Sequence, residues 1–511
     1  MVHRRDFIAG SGAAFGTALF CPETVLEAEE LGRARTISIF HTTDLHGHIE
    51  PTTTYEGLDD VGGLARCISC IREWRRMSPY SITVDIGDLV QGTAVSAWSD
   101  GQLMVKLLNR LGYDAWTLGN HDFDWGPESL ENILEISQPS ILAANIDRSS
   151  RPVGSLEGAW KNVSPWAIRE VGGFRIGFIG LITPGLQSWL PPEVLGGVLP
   201  TDPVVALSAT LQDLKKEKPD AIVVMGHMGW RYQDDYANPV RAVLKDAQDV
   251  DIYLAGHSHQ NRPAWMSERT LCSQASYYGI HCGRVDLTFD LSTRKLVDRR
   301  VFTLLMDDRF ELDPLVMQMA RPDLAASSAE LARRVANNRY PLSGDGRNSA
   351  LGQLLCECFA TTLAKRGHKV DGVFHGTFLS GTLEAGDVTV SDCWKMIPYE
   401  NLLVTAHLTV QELLGILSED SNDKRSDRML WPFQVKRNEK EQPVAIYNKG
   451  EPLAADRRFV IAFNSYDAQS GGNKLLFLQR VLSQPDSQRL VTDIDTRTAL
   501  IQALLERGDI G

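Results

Sequence analysis

Short, nearly unbroken apolar runs recur through the first half of the chain, and each is closed by a small cluster of Gly, Asp, Asn and His. The runs at residues 36–40, 81–86, 115–118, 140–143, 174–179, 221–225 and 251–254 are rich in β-branched residues and too short for helices, so they read as strands buried on both faces. Helical patterns at residues 64–76 and about 101–111 lie between them. Strands alternating with helices predict a layered α/β domain, in which ligands gather at the carboxyl ends of the strands. Those ends carry Asp44 and His46, then Asp88, then Asn120, His121 and Asp124, then His227, and finally His257 and His259.

Beyond residue 312 the pattern changes. An Ala-, Leu- and Arg-rich stretch from 313 to about 338 reads as a connecting helix, or equally as the first helix of a second domain. A loop at 341–348 leads to a helix at 351–363, strands at 370–374, 392–397 and 402–408, a helix at 409–417 and a strand at 458–463. A chain of 511 residues exceeds what one core can organise. The expected division is a leader at 1–30, a first domain at 35–312, a connecting helix at 313–340 and a second domain at 341–511.

The net charge of -13 argues against a nucleic-acid polymer or an anionic membrane as partner, and an anionic substrate would need a local attractor. Arg4 and Arg5, followed by a mildly apolar run at 9–20, resemble a twin-arginine export signal. The run is too short to span a bilayer, which takes about 20 residues, and Gly10, Gly12 and Gly16 weaken a helix there. Phe20 is too bulky to precede a lipidated Cys21. The expectation is export through the twin-arginine translocase to a periplasmic or extracellular location, with no stable membrane span. Export permits disulfides. Cys67 and Cys70 sit poorly for a mutual bond, Cys272 and Cys282 could bridge two strands, and Cys356, Cys358 and Cys393 read as buried apolar residues.

Asp44, His46, Asp88, Asn120, His227, His257 and His259 offer seven oxygen or nitrogen ligands and no thiolate. Taken singly, His227 resembles a core histidine, Asn120 a turn residue and Asp88 a helix cap. Together, at successive strand exits, they are too many for one tetrahedral site and suit two ions that share a bridging carboxylate. The donor set fits zinc, manganese, iron or cobalt without ranking them.

The ordered motifs D-x-H, G-D, G-N-H-D, G-H and G-H-x-H resemble the calcineurin-like metallophosphoesterases. The start DLHG, the segment GNHDFD and the later NSYDAQSGGN are similar to the 5′-nucleotidase branch, which includes periplasmic nucleotidases and UDP-sugar hydrolases. The resemblance implies a four-layer α/β/β/α metallophosphoesterase domain followed by an α+β C-terminal substrate-binding domain. It also implies one divalent ion held by Asp44, His46 and His259, another by Asn120, His227 and His257, and Asp88 bridging them. His121, oriented by Asp124, takes the catalytic position, stabilising developing charge or protonating the leaving oxygen.

In that branch the second domain supplies arginines after an N-G-G segment and two rings that sandwich the base. Here His375 stands for the asparagine and Ser380 for an arginine, whose fork-like contact serine does not reproduce. Tyr466 stands where one ring is expected, and Trp431 or Phe433 is a candidate for the other. The resemblance therefore implies an exported dinuclear-metal hydrolase of phosphate esters, nucleotides or related phosphoanhydrides first. The alternatives within the fold are a cyclic nucleotide phosphodiesterase and a thiosulfohydrolase of sulfur oxidation. A non-catalytic metal-containing binding protein is the alternative from another class.

Overall fold

The computed structural model describes residues 32–147, 160–377 and 381–510. The twin-arginine region, Cys21 and Ser380 lie outside the described residues. Strand β1 (Ala34–Thr42) is the centre of the first body. It pairs in parallel with β2 (Ser81–Asp85), which is followed by β3 (Ala115–Thr117), β4 (Ser140–Leu142) and β5 (Val163–Ser164). A second sheet contains β6 (Trp166–Val171), β7 (Phe174–Leu181), β8 (Ala221–Gly226), β9 (Ile252–Ala255), β10 (Asn261–Ser267) and β11 (Thr270–Ala275). The chain then returns to the first sheet as β12 (His281–Asp290), antiparallel to β1, and β13 (Leu296–Leu305).

The unbroken apolar runs are explained by what lies on each face. Ile37 and Ile39 of β1 meet Phe174, Phe178, Val223 and Leu254 in a core between the two sheets. Phe40 points the other way, into a layer with helices α1 (Leu64–Met77), α2 (Gln102–Leu111) and α3 (Gly126–Ile136). The outer face of the second sheet is covered by α4 (Pro203–Lys216) through Leu207, Leu211 and Leu214. At ~1.5–3 kcal/mol for each fully buried large apolar side chain, this double burial holds the strand ends in fixed positions. The result is the expected α/β/β/α order of layers.

Helix α5 (Pro314–Leu331) starts on Asp313, whose carboxylate accepts from Leu315 and Val316 N–H and pairs with Arg72 at 2.6 Å. Val316 and Ala320 bury α5 against the first body. The helix ends seven residues before the expected limit near 338, because Arg334–Asn338 forms β14, paired with Gly386–Thr389 and Asp509–Ile510. Here sheet pairing overrides an Ala-rich composition that favours helix.

The second body contains α6 (Ala350–Lys365) and a five-stranded sheet. The strands are β15 (Gly372–His375), β16 (Leu402–Thr409), β17 (Met429–Trp431), β18 (Arg458–Asn464) and β19 (Leu490–Asp495). Residues 392–397, expected as a strand, are instead the greater part of a helix, Val390–Met396, and its C-cap, Ile397. Thr389 and Asp392 form a reciprocal capping box there, a local signal stronger than the short apolar run. All seven described cysteines are free and buried, so the bridge considered between Cys272 and Cys282 is absent among them. Those two residues stand in different sheets. Among the described residues no helix is long and apolar enough to cross a membrane.

Candidate metal centre and the cleft above it

The predicted ligands converge at the carboxyl ends of the strands from both sheets. To turn upward there, five of the residues take left-handed backbone conformations: Asp44 (φ 50), His46 (φ 46), Asp88 (φ 52), His257 (φ 69) and His259 (φ 54). Asp and His tolerate this region better than most side chains, although it remains costly. Two exits approach so closely that one must be glycine: a Cβ on Gly119 would lie 2.2 Å from Asp88 Oδ1 and 2.3 Å from Asp88 N. Asp122 fastens the two exits together. Its carboxylate accepts from the N–H groups of Asp88 (3.1 Å), Leu89 (2.9 Å), Val90 (3.2 Å) and Gly119 (2.8 Å).

Asp44, His46, Asp88 and His259 place one donor atom each in a single cluster, and Asp88, His227 and His257 do so in a second. His46 Nε2 and His259 Nε2 face each other at 3.0 Å, and His259 Nε2 is 3.5 Å from Asp44 Oδ1. Asp88 Oδ2 lies 3.0 Å from His227 Nε2 and 3.6 Å from His46 Nε2, between the clusters. Asp88 Oδ2, His227 Nε2 and Asn120 Oδ1 are buried without an aligned hydrogen-bond partner. Unsatisfied buried donors and acceptors of this kind are expensive unless something occupies the space between them. An oxygen- and nitrogen-rich set with no thiolate fits divalent cations of the zinc, manganese, iron or cobalt type.

The far nitrogens of the imidazoles are also held. His46 Nδ1 lies 2.7 Å from the Gln91 carbonyl, His227 Nδ1 2.7 Å from the Ile86 carbonyl, and His259 Nδ1 3.0 Å from Tyr55 Oη. A proton on Nδ1 leaves the Nε2 lone pair for a cation. Burial pushes the imidazolium forms of His46 to about 4 and His257 to about 3, and holds His259 well below the usual range, so all three are neutral at physiological pH. Burial works in the same sense on His227, yet the Asp88 carboxylate beside it prevails and raises it to about 9. Burial raises Asp44 to about 7, while Asp88 is held well below the usual carboxylate range: burial opposes this, but His227 and His121 outweigh it. A cation at this point would take the place of the proton that His227 carries.

His121 and Asp124 occupy a short 3₁₀ turn after β3, with His121 Nδ1 donating to Asp124 Oδ2 at 2.7 Å. Burial lowers the His121 pKa, but Asp124 and Asp88 more than reverse this and lift it to about 10. The His121 ring lies under Tyr399 of the second body. Next to Tyr399, Glu400 accepts from Gln91 Nε2 at 2.7 Å and from Arg497 Nη1 at 2.6 Å. Gln91 thus gives its carbonyl to His46 and its side chain to the second body.

On the other side of the centre, Trp189 stands 5.1 Å from His257 between ring centroids and donates Nε1–H to Tyr236 Oη at 3.1 Å. Tyr466 reaches the same place: a Cβ on Gly472 would lie 2.8 Å from its Oη, 3.5 Å from Tyr236 Oη and 3.6 Å from Trp189 Nε1. The Tyr466 turn is anchored by Asp467, which pairs with Arg428 at 2.7 Å, and by Asn464. His375 is only 1% exposed and accepts at Nδ1 from Asn464 Nδ2 (2.9 Å), so it lies beneath the Tyr466 turn and not on the cleft wall. Phe433 is buried against Phe459 at 5.1 Å, and Trp431 packs on the core of the second body.

Asp122, Gln91, Tyr399, Glu400 and Trp189 were not singled out from the sequence. Asp122 had a local signal, a carboxylate inside a Gly-Asn-His turn surrounded by free N–H groups. The others reach the centre only through tertiary folding.

Residues 37–261 match the family model of calcineurin-like phosphoesterases, and residues 326–480 match the 5′-nucleotidase C-terminal domain. A trifunctional nucleotide phosphoesterase protein, YfkN, of Bacillus subtilis is 24% identical over 426 residues, covering 75% of this chain and 27% of its own length. A 5′-nucleotidase of Vibrio cholerae is 23% identical over 454 residues, 80% of each chain. The crystal structure of a 5′-nucleotidase precursor from Thermus thermophilus superposes with a TM-score of 0.67 at 24% identity, covering 93% of this chain and 97% of the other, and so shares the fold. Of three curated relatives the chain spans 27%, 61% and 32% of the length.

Proposed function

We propose, from the premise that a calcineurin-like phosphoesterase domain is followed here by a 5′-nucleotidase C-terminal domain, that this chain is an exported metal-dependent hydrolase of phosphate esters, with nucleotides as the first substrate class. The observation that carries the reading is the pair of donor clusters meeting at Asp88, beside the His121–Asp124 dyad. Asp44, His46 and His259 would hold one divalent ion and Asn120, His227 and His257 the other, with Asp88 shared. Such a pair of ions supplies positive charge for phosphoryl oxygens and lowers the pKa of a water.

The chain's own residues do the rest. Asp124 holds the His121 ring by Nδ1, leaving Nε2 to carry a proton for the leaving oxygen or to stabilise charge on it. The ions would also draw an anion into a chain of net charge -13. Tyr466, with Trp189 and Tyr236 across from it, offers ring surface to a base, and His375 supports the Tyr466 turn through Asn464. Export by the twin-arginine route rests on Arg4, Arg5 and the run that follows. It suits a protein whose ions are inserted with the fold.

The test is metal-loaded protein offered nucleoside monophosphates, sugar nucleotides, cyclic nucleotides, simple phosphate esters and an S-sulfonated thiol. Phosphate release from the nucleotides supports the reading. Turnover of the S-sulfonated thiol alone moves it to the thiol-linked sulfate ester, and silence on every compound with two ions bound leaves a binding protein.

A further inference from the structure

Two of the ligand histidines are oriented from inside the first body, by the buried carbonyls of Gln91 and Ile86. His259 is oriented from outside. Its Nδ1 lies 3.0 Å from the phenol oxygen of Tyr55, a residue 64% exposed on a surface loop. That loop is closed on itself by the Thr52–Val61 bridge and by Thr53 Oγ1 donating to Asp59 Oδ1 at 2.7 Å. It is fastened to the first body where the Tyr55 N–H donates to Tyr277 Oη at 2.9 Å and the two rings stack with centroids 4.4 Å apart.

The direction of the protons decides whether this contact helps or hinders. Tyr55 Oη is also 3.0 Å from Tyr278 Oη. If the Tyr55 hydroxyl donates to Tyr278, its lone pair accepts Nδ1–H of His259, and the His259 Nε2 lone pair then faces Asp44 and His46. If it donates to His259 instead, Nε2 carries the proton and is lost as a ligand. Tyr278 therefore offers the Tyr55 proton a destination other than the histidine.

We propose that Tyr55 is a positioning residue for the ion held by Asp44, His46 and His259, fixing the tautomer of His259 from the surface loop while Tyr278 accepts the hydrogen bond of the Tyr55 hydroxyl. The ion held by Asn120, His227 and His257 lacks this dependence on the loop. The proposal rests on the dinuclear reading above and adds an asymmetry to it: the surface loop holds a histidine of one set, while His227 of the other is held by the buried Ile86 carbonyl.

The experiment uses the full chain and its Tyr55→Phe variant, which keeps the ring on Tyr277 and removes only the hydroxyl. Titration of the metal-free proteins with Mn2+ or Zn2+ by calorimetry, with metal content measured after dialysis, reads each site. The expected result for Tyr55→Phe is a dissociation constant raised about 10-fold or more for one ion, with the other unchanged. Loaded with Mn2+, the variant should show the resonance of an isolated ion where the parent shows a coupled pair. Tyr232→Phe, changing another exposed phenol (78% exposed), is the control and should match the parent. Two ions of parental affinity in Tyr55→Phe, or equal loss of both, would overturn the assignment. Failure of the parent chain itself to take up ions would count against the dinuclear reading instead.

Discussion

The imidazole of His121 lies nearly parallel to the ring of Tyr399, with centroids 6.0 Å apart and planes inclined by 15°. One residue belongs to the first body and the other to the second, so the His121–Asp124 pair is roofed by the second body. Beside this contact Glu400 ties Gln91 to Arg497, so one short segment of the second body touches both His121 and the residue whose carbonyl faces His46.

Asp88 and His121 should separate cleanly. Asp88→Asn removes the charge shared by both clusters, so metal content should fall at both sites and turnover should disappear. His121→Ala should keep both ions and lower kcat by about 10²–10⁴-fold, the range for a lost general acid. Metal analysis beside steady-state kinetics checks both, and loss of ions in His121→Ala would show that ligand and catalyst have been misassigned.

Asp124→Asn should move the pH dependence in one direction. Burial favours the neutral imidazole of His121, and the charges of Asp124 and Asp88 reverse this, raising its pKa to about 10. Without the Asp124 charge the proton leaves at lower pH. The basic limb of the kcat profile should shift down by about 1–3 pH units, as a stopped assay across the alkaline range would record.

Gly119→Ala places a methyl group against Asp88 N and Oδ1. Backbone is the obstacle, so the two strand exits must separate, at a cost of about 1–3 kcal/mol. A lower melting temperature accompanied by weaker metal binding is expected. A variant that melted lower while binding metal normally would show that the exits move without disturbing Asp88.

Glu400→Ala frees Gln91 and Arg497 together. Hydrogen bonds to a charged group contribute about 1.5–3 kcal/mol; the one from Gln91 crosses between the bodies, and the one from Arg497 lies within the second. Gln469, Ser470 and Arg489 still reach Gln187, Ser188 and Glu193 across the same interface, so calorimetry should report a lower melting temperature while metal content stays at the parental value.

The layered first domain and the gathering of its donor residues are legible in the sequence because their signals are local. Strands buried on both faces write continuous apolar runs, and the exits write Gly beside Asp, Asn or His. Asn120 and His227 could be read as partners because each follows such a run directly. Short apolar stretches without clear periodicity are harder to read. Residues 392–397 fit strand or helix until the Thr389–Asp392 capping box is recognised, and 334–338 leaves the expected helix because strands from elsewhere in the chain pair with it. Tyr55, Trp189 and Tyr399 carry no mark of their role. Each reaches the centre from a loop or from another domain, and the distances in sequence to His259, His257 and His121 conceal the contacts.

Asp44, His46, Asp88, His257 and His259 hold left-handed backbone conformations. Each such conformation costs about 1–3 kcal/mol and persists only where the surrounding structure enforces it, and here the two sheets enforce it. The packing between the sheets thus carries the cost of aiming these side chains at one place. Loosening the contact between the two sheets should therefore scatter the donors even where every one of the donor residues is kept.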